Sequence, residues 1–394
     1  MESSGRLTWA ILSAPTGERT EVRCRNLATK KLPCDAATNL GPPCSSRRNL
    51  PKPKPPPVAA GCGAHDRHTV HTGQAPLGGI ELKIPIKNSR LGLEMGGFCK
   101  QIRKSGPHPM KPIIHYLPSA DDSAWPDGVS NDDGLPVRES GVWIEKKHKP
   151  LVYYSEIFNL AMKDKDWNER IYFELFAGPG RCLVRETNKE ELGSPLRVLE
   201  TNFTKFIFVE MNKHAAEALA ARIEGHRNAS KVEIWCGDCA EAIGKIVFPP
   251  RSLTFTFIDP TRIGHAPFEL ISTLAARTRS DILLNIPTGT DIKRNLHHYL
   301  IKSGPEAPLT KYLGSEMWKN VPSNTASNFC RGFLKLYGTQ LRGIGYEFVG
   351  DLQQVTTPGN VPLYYLFFAS KNQLGEKFWN ETLKRVNEPE LKLF

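Results

Sequence analysis

Five short apolar runs, separated by segments long enough for helices, constrain the fold of this chain more than any other feature. They cover residues 171–176, 205–210, 232–236, 253–259 and 281–287. Runs this apolar are typical of strands that are buried on both faces, and the segments between them suit crossover helices. The alternation therefore predicts a parallel α/β sheet.

The intervening segments carry helix signals. Ser194 is placed to cap a helix with Pro195 at its first helical position, residues 214–223 are rich in alanine, and residues 267–277 follow a glycine. Residues 143–165 show apolar positions at helical intervals. Because a proline is tolerated best in a first helical turn, Pro150 predicts one short helix and a second that begins near it.

The C-terminal part has a different pattern. Residues 345–356 and 363–370 are two extended runs joined by Pro358-Gly359-Asn360, which predicts an antiparallel hairpin at a sheet edge. A mostly parallel sheet closed by such a hairpin is the arrangement of methyltransferases and differs from the all-parallel sheet of dehydrogenases. We therefore predict an α/β fold of the Rossmann-like methyltransferase type.

Charge and composition divide the chain into three parts. Residues 1–109 hold 17 Lys+Arg against 7 Asp+Glu, with 13 prolines and 12 glycines, which predicts a disordered basic arm or sequence upstream of a mis-set start at Met110. Residues 110–140 form an acidic, turn-rich lead-in, and residues 141–394 the α/β domain. Residues 110–394 hold 35 basic against 34 acidic residues, so charge does not support nucleic-acid binding by the body.

The cysteines indicate a reduced protein. Cys236 and Cys239 form a CxxC pair, but no second pair or nearby histidine pair completes a metal set, and we favour a nucleotide-binding loop through Gly237-Asp238 over a metal or redox site. No run of 18 apolar residues and no signal sequence is present, so we expect a cytoplasmic location without a membrane span.

A glycine-containing turn follows the first predicted strand. It reads Phe176-Ala177-Gly178-Pro179-Gly180, and its two glycines allow the backbone to approach a ligand closely. Glu174 lies at the strand end, where it would fix the turn or the ammonium group of a bound amino-acid moiety. A Gly-x-Gly sequence also occurs in ordinary strand-to-helix turns, and the third glycine of the dinucleotide fingerprint is absent.

Carboxylates end the next three strands and strengthen this interpretation. Glu210 is placed to accept both hydroxyls of a ribose, Asp238 to meet an adenine amino group, and Asp259-Pro260 lies where open α/β sheets hold their reacting ligands. Taken singly, these residues are also explained by a helix-capping acid or an Asx turn. Their order along the chain predicts a site for S-adenosylmethionine.

Several motif runs together resemble the three-Cys-motif partner proteins. The resemblance spans about residues 119–380 and is carried by Asp132-Asp133-Gly134-Leu135-Pro136, Leu175-Phe176-Ala177-Gly178-Pro179-Gly180-Arg181-Cys182, Gly193-Ser194-Pro195-Leu196, Phe257-Ile258-Asp259-Pro260 and Asn285-Ile286-Pro287-Thr288-Gly289. It implies a methyltransferase-like fold and a partnership with a separate three-cysteine protein of radical-S-adenosylmethionine-like type. The cysteines after which the family is named belong to that partner.

Two departures from other methyltransferases limit the chemistry. The glycine turn is similar to that of cytosine-C5 DNA methyltransferases, but no Pro-Cys follows the fourth strand, which disfavours covalent cytosine chemistry. Amino-methyltransferases of DNA have Pro-Pro and an aromatic residue after their acid or amide, whereas Asp259-Pro260 is followed by Thr261-Arg262. In addition, residues 181–193 delay the first crossover helix and predict a charged loop beside the turn.

We predict in-line methyl transfer with Asp259 and Asn285 as the catalytic residues. Asp259 would orient or deprotonate the acceptor, and Pro260, Thr288 and Arg294 are the candidate substrate contacts. Asp291 and Lys293 could contact an anionic substrate, although a solvated helix start explains them better. Trp143, Lys146 and His148 could cover the site from the preceding helix, although ordinary packing and surface positions explain them better. The alternative function is a cofactor-binding partner subunit without turnover, which the incomplete motif after Asp259 favours.

Overall fold

The computed structural model describes residues 110–350 and 352–387, so the predictions for residues 1–109 lie outside the described part. The strands are β1 (Ile113–Tyr116), β2 (Arg138–Ser140), β3 (Glu169–Leu175), β4 (Arg181–Val184), β5 (Lys189–Leu192), β6 (Lys205–Glu210), β7 (Val232–Cys236), β8 (Ser252–Ile258), β9 (Ser280–Ile286), β10 (Phe348–Val349), β11 (Gln353–Thr356) and β12 (Pro362–Ser370). The helices are α1 (Ile144–Met162), α2 (Ser194–Leu199), α3 (Lys213–Ile223), α4 (Cys239–Lys245), α5 (Phe268–Arg277), α6 (Lys293–Leu300), α7 (Pro308–Leu313), α8 (Ala326–Gly343) and α9 (Gln373–Asn387).

One large sheet organises these elements. Its strand order is β1-β7-β6-β3-β8-β9-β12-β10, with β11 also paired to β12. The pairs from β1 to β9 are parallel, and β12 runs antiparallel to β9 with Leu366 opposite Asn285. The predicted fold class, an α/β Rossmann-like sheet closed by an antiparallel hairpin, is confirmed.

The predicted strand positions agree with the structure to within two residues at each end. The hairpin is also present, but its first arm is divided into β10 and β11, which pair with different parts of β12. Gly350 lies between them, and a Cβ atom there would approach Trp379 Cδ1 to 2.4 Å. The chain therefore leaves the sheet where only a glycine fits against that indole.

Helices cover both faces of the sheet, and two apolar clusters fill the space beneath them. One face carries α4, α5, α7 and α8, and the other carries α1, α2, α3 and α9. On the second face Tyr154, Phe368 and Trp379 pack together, with the Phe368 and Trp379 rings stacked at a centroid distance of 5.1 Å. Since both faces are covered, the sheet offers its ligand-binding surface at the strand ends.

The helix prediction around Pro150 was wrong. Helix α1 runs without a break from Ile144 to Met162 and contains Pro150 in its second turn. Proline removes one backbone donor there, yet Leu151, Tyr154 and Phe158 bury the following turns against the sheet. Tertiary packing of this face outweighs the local cost of the proline.

Two smaller predictions beside α2 also need correction. The N-cap is Gly193, and Ser194 is the first residue of the helix, with its side chain turned into the core. The predicted charged loop 181–193 is a hairpin of β4 and β5, which joins β2 in a separate three-stranded sheet. Within residues 110–350 and 352–387, no helix combines the length and apolarity needed to cross a membrane.

Candidate functional site

The glycine turn after β3 has the backbone conformation that its sequence predicts. Phe176, Gly178 and Gly180 have φ values of 67°, 68° and 87°. A Cβ atom at Gly178 would meet nothing within 4 Å, whereas one at Gly180 would lie 2.8 Å from Leu219 Cδ1 of α3. Gly180 therefore permits close packing of the turn on α3, and Gly178 leaves open space beside the turn.

Glu210 holds this turn from the end of β6. Its Oε2 accepts a hydrogen bond from the Gly178 amide at 2.7 Å, and its Oε1 accepts one from the Asn212 amide at 2.9 Å. Burial raises the pKa of Glu210, and these two amide donors counteract part of that rise. The acid predicted to bind a ribose thus binds the glycine turn itself in this structure.

Arg222 of α3 ties the turn to the acidic lead-in. Its guanidinium donates to both carboxylate oxygens of Asp133 at 2.8 and 2.9 Å. It also donates to the carbonyls of Pro136 and Pro179 at 2.7 and 2.6 Å. The hydrogen bonds from Arg222 hold the pKa of Asp133 well below its usual range against the opposing effect of burial. One side chain therefore fixes the turn and the Asp-Asp-Gly-Leu-Pro run together.

Asp259, at the end of β8, lies in a cluster with Lys147 and Asn285. Its Oδ2 accepts from Lys147 Nζ at 2.5 Å and its Oδ1 from Asn285 Nδ2 at 2.6 Å. The side chains of Asp259 and Lys147 are only 17% and 16% exposed. Burial alone would lower the pKa of Lys147, but the Asp259 carboxylate, followed by Tyr364, raises it above its ordinary value. Lys147 is thus an ammonium group paired with a carboxylate.

A single cavity of about 270 Å³ joins the glycine turn to this cluster. It lies at the carboxyl edge of the sheet, between β3, β8, β9 and helix α1. Its lining includes these predicted site residues: Phe176, Ala177, Gly178, Gly180, Asp259, Pro260 and Asn285. It also includes Thr290, Tyr364, Glu139 and three arginines, Arg138, Arg181 and Arg185, each of which is paired with a carboxylate.

Glu174 lies beneath the cavity with no solvent exposure. Its Oε1 accepts from Ser194 Oγ at 2.5 Å and its Oε2 from Tyr172 Oη at 2.8 Å. Burial, together with the charge of Asp259, raises the pKa of Glu174 to about 8 against the lowering effect of these hydrogen bonds. At neutral pH it is therefore largely a neutral acid that braces β3 against α2.

Three other predicted residues lie away from the cavity wall. Asp238 caps α4, accepting from the amides of Ala240 and Glu241 at 2.8 and 3.0 Å. Thr288 is fully buried, with no hydrogen-bond partner for Oγ1 in the described part of the chain. Arg294 is exposed on α6. The structure thus brings seven of the twelve predicted site residues to one cavity and leaves five elsewhere.

The lead-in covers the sheet edge beside Glu210 and Asp238. Ser119 Oγ accepts from the Asp238 amide at 2.8 Å, and the Asp121 amide donates to the Met211 carbonyl at 2.9 Å. A Cβ atom at Gly237 would lie 2.7 Å from Leu117 Cβ. Residues 117–121 therefore pack on the strand ends where the sequence predicts a nucleoside.

Lys147 and Tyr364 were missed by the sequence interpretation. Lys147 lies in the run Lys146-Lys147-His148-Lys149, whose composition is typical of a solvent-exposed helix face. His148 in the same run also lines the cavity. Its burial, with the charges of Lys147 and Arg197, lowers its pKa well below the ordinary value. No local signal in the sequence distinguishes Lys147 and His148, because only the packing of α1 over β8 brings them to Asp259. Tyr364 reaches the same cluster from β12.

Comparison with known proteins gave structural matches alone. No family model and no curated protein matches the chain. It is similar to protein LPL1258 from Legionella pneumophila, at 13% identity and a TM-score of 0.40, over 64% of this chain and 94% of that one. It is also similar to an O-methyltransferase from Bacillus cereus in complex with SAH, at 14% identity and a TM-score of 0.35, over 60% and 84% of the two chains.

A further similar structure is the O-methyltransferase TomG from Streptomyces achromogenes, in complex with SAM. The identity is 11%, the TM-score is 0.35, and the match covers 61% of this chain and 94% of that chain. At these identities and TM-scores the likenesses carry no information about the site.

Replacement of Glu174 by Gln is expected to flatten the pH dependence of stability. Because its pKa is raised to about 8 in the folded protein, the folded state binds a proton that the unfolded chain has released, and stability falls as the pH rises toward 8. This titration contributes a slope of up to about 1.4 kcal/mol per pH unit. Urea unfolding of wild type and Glu174→Gln at about pH 6, 7 and 8 measures the difference.

Glu347→Gln provides the control, because Glu347 is exposed on the surface. Its unfolding free energy should follow that of the wild type across the same pH values. An unchanged slope in Glu174→Gln would contradict the assignment of a buried neutral acid beneath the cavity.

Proposed function

We propose that this protein is an S-adenosylmethionine-dependent methyltransferase. One observation carries the proposal: a single cavity at the carboxyl edge of the sheet has the glycine turn on one wall and Asp259 on another. Open α/β sheets hold their ligands at this edge. We base the proposal on this geometry and on the order of the acids along the strands.

The glycine turn leaves open space in which the adenosine end of the cofactor would fit. Gly178 has a positive φ of 68°, and a side chain there would occupy open space beside the turn. Phe176, Ala177, Gly178 and Gly180 would hold the cofactor at the cavity, with Glu210 behind the turn. Contacts of Glu210 with a ribose and of Asp238 with an adenine remain predictions, since both carboxylates bind backbone amides here.

The cluster around Asp259 would position the methyl acceptor. S-adenosylmethionine, when bound, supplies an electrophilic methyl group. Lys147 and Asn285 hold the two carboxylate oxygens of Asp259, so that this group keeps one orientation at the cavity wall. Asp259 would accept a hydrogen bond from the acceptor and take its proton as the new bond forms. The pairing with Lys147 offsets the negative charge inside the cavity.

Gly178→Ala is expected to weaken binding of S-adenosylmethionine and of its demethylated product by at least about tenfold, which is about 1.4 kcal/mol. The added methyl group occupies the open space beside the turn. Isothermal titration of each ligand into the full chain measures the affinity. No binding to the wild-type protein would overturn the proposed function.

Gly225→Ala is the matched control for this variant. Gly225 has a φ of 80° and a Cβ there also meets nothing within 4 Å, but it does not line the cavity. Both variants bear a similar backbone strain of about 1–2 kcal/mol. Equal loss of affinity in the two variants would attribute the effect to strain and contradict the cofactor assignment.

Asp259→Asn is expected to retain cofactor affinity within about threefold, while methyl transfer falls by about 100-fold or more. The amide cannot take a proton. Transfer is measured with tritiated S-adenosylmethionine and a mixture of total RNA, heat-denatured DNA and peptides as acceptors. Asp281→Asn is the control, because Asp281 is a half-buried acid at the opposite end of β9, bonded to Tyr154 and Ser370. Turnover that survives in Asp259→Asn would refute the catalytic role.

Cofactor binding by the wild type without transfer to any acceptor would support the alternative of a non-catalytic subunit. The turn Asp259-Pro260-Thr261-Arg262 favours that alternative, because it lacks the second proline and the aromatic residue of amino-methyltransferases. The part-buried Asp259–Lys147 pair at 2.5 Å favours the enzyme, since a binding subunit has no need to hold an acid at the cavity wall.

We also propose a working partnership with a separate three-cysteine protein, on the resemblance of the motif runs. The first of these runs contains Asp133 and is fixed to the glycine turn by Arg222. Co-expression with a candidate three-cysteine protein should yield one complex in size-exclusion chromatography. Elution of the two proteins as separate species would contradict the partnership and leave the cofactor site unaffected.

A further inference from the structure

A second concave surface lies on the other side of β12 from the cavity. It is a groove of about 690 Å³ between helix α8 and the strands β11 and β12. Its basic side chains are Lys293, Arg331, Lys335 and Arg342. No described residue that lines this basic groove carries a carboxylate. The near-neutral charge of residues 110–394 as a whole therefore conceals a local concentration of positive charge.

The cations on α8 form one stripe. Arg331, Lys335 and Arg342 follow each other at intervals of four and seven residues, which places them on the same helix face. All three are exposed, and none forms an ion pair with another described residue. The stripe extends over about 16 Å at 1.5 Å per residue. One phosphate group cannot contact both ends, so the stripe matches an extended polyanion.

The floor of the basic groove is apolar and partly aromatic. Leu334, Val349, Tyr365 and Phe367 line it, of which Val349 and Tyr365 are half-buried and Leu334 and Phe367 almost fully buried. Tyr365 is half-buried, and burial raises the pKa of its hydroxyl, an effect that the charge of Arg331 partly opposes. A basic rim with an aromatic floor is the combination that binds single-stranded nucleic acids, where the phosphates meet the cations and the bases stack. A membrane surface would need a protruding face and does not fit a groove.

The basic groove and the cavity share a wall. Tyr364 lines the cavity and Tyr365 the groove, because neighbouring residues of β12 point to opposite sides. Thr290 also lines the cavity, and Lys293, three residues later, lines the groove. A strand lying in the groove would therefore continue beside the cavity.

We propose that the basic groove binds a single-stranded nucleic acid and guides one nucleotide of it toward the cavity. The binding stands on the groove alone, whereas the assignment of the strand as methyl acceptor rests on the proposed function. Arg331, Lys335 and Arg342 would contact successive parts of the phosphodiester backbone, and the apolar floor would receive the bases.

The test compares two triple variants of the full chain. The stripe variant carries Arg331→Ser, Lys335→Ser and Arg342→Ser, which together remove the stripe. The control variant carries Lys163→Ser, Lys377→Ser and Lys384→Ser, which remove the same charge from exposed positions elsewhere. Fluorescence anisotropy of a labelled single-stranded oligonucleotide of about 20 residues is measured at about 50 and 200 mM salt. Both variants keep the basic residues 1–109, so any contribution of that segment to binding is the same in the two.

The stripe variant should bind the oligonucleotide at least about tenfold more weakly than the control variant. Its slope of log affinity against log salt should be shallower by about 2, since each phosphate contact in a single strand contributes about 0.7. Equal affinity of the two variants would overturn the proposal. Tighter binding of a labelled polyglutamate peptide than of the oligonucleotide would also overturn it, because the groove would then be specific for acidic proteins.

Failure of the groove proposal can be distinguished from failure of the proposed function. The stripe variant should bind S-adenosylmethionine with the affinity of the wild type, since none of its three positions lines the cavity. If the wild type binds the oligonucleotide but not the cofactor, the groove assignment stands and the methyltransferase proposal fails. If both bind, tritium transfer to the oligonucleotide that falls in the stripe variant supports the strand as acceptor, and undiminished transfer contradicts it.

Discussion

The arrangement of the site depends on one guanidinium group. Arg222 is nearly buried, with its side chain only 4% exposed, and its donors meet the Asp133 carboxylate and the carbonyls of Leu135, Pro136 and Pro179. A buried charge is tolerated only when its hydrogen bonds are made, and here they are shared between the lead-in and the glycine turn. The position of Gly178 is thus fixed by α3 and by a loop more than 40 residues earlier.

Two acids at the carboxyl edge have different partners. Asp259 is paired with Lys147, whereas Glu174 has only hydroxyl partners and a pKa raised to about 8. The negative charge of Asp259 also disfavours ionisation of Glu174. In this chain Glu174 braces β3 against α2 beneath the cavity, and Asp259 lines the cavity itself.

The sequence predicts the sheet well, because its central strands are mostly apolar runs separated by segments of helical length. The same reasoning places the glycine turn, Asp259 and Asn285 together, since parallel strands end at one edge. It fails where packing between distant segments decides. Lys147 reaches Asp259 across 112 residues, Ser194 turns inward to Glu174, and α1 passes through Pro150. Glu210 and Asp238 lie where their strands predict, but residues 117–121 occupy the surface beside them.

The closing hairpin is more than the end of the fold. Strand β12 pairs with β9 along one edge and with β10 and β11 along the other, and its two faces have different surroundings. The two-residue period of β12 sends Tyr364 to the cavity and Tyr365 to the basic groove. A shift of this strand by one residue would exchange the two faces, so the register that pairs Tyr365 with Ile286 determines which side chain lines each site. The pairing of β12 with β9 therefore determines both the stability of the hairpin and the geometry of the cavity and the basic groove.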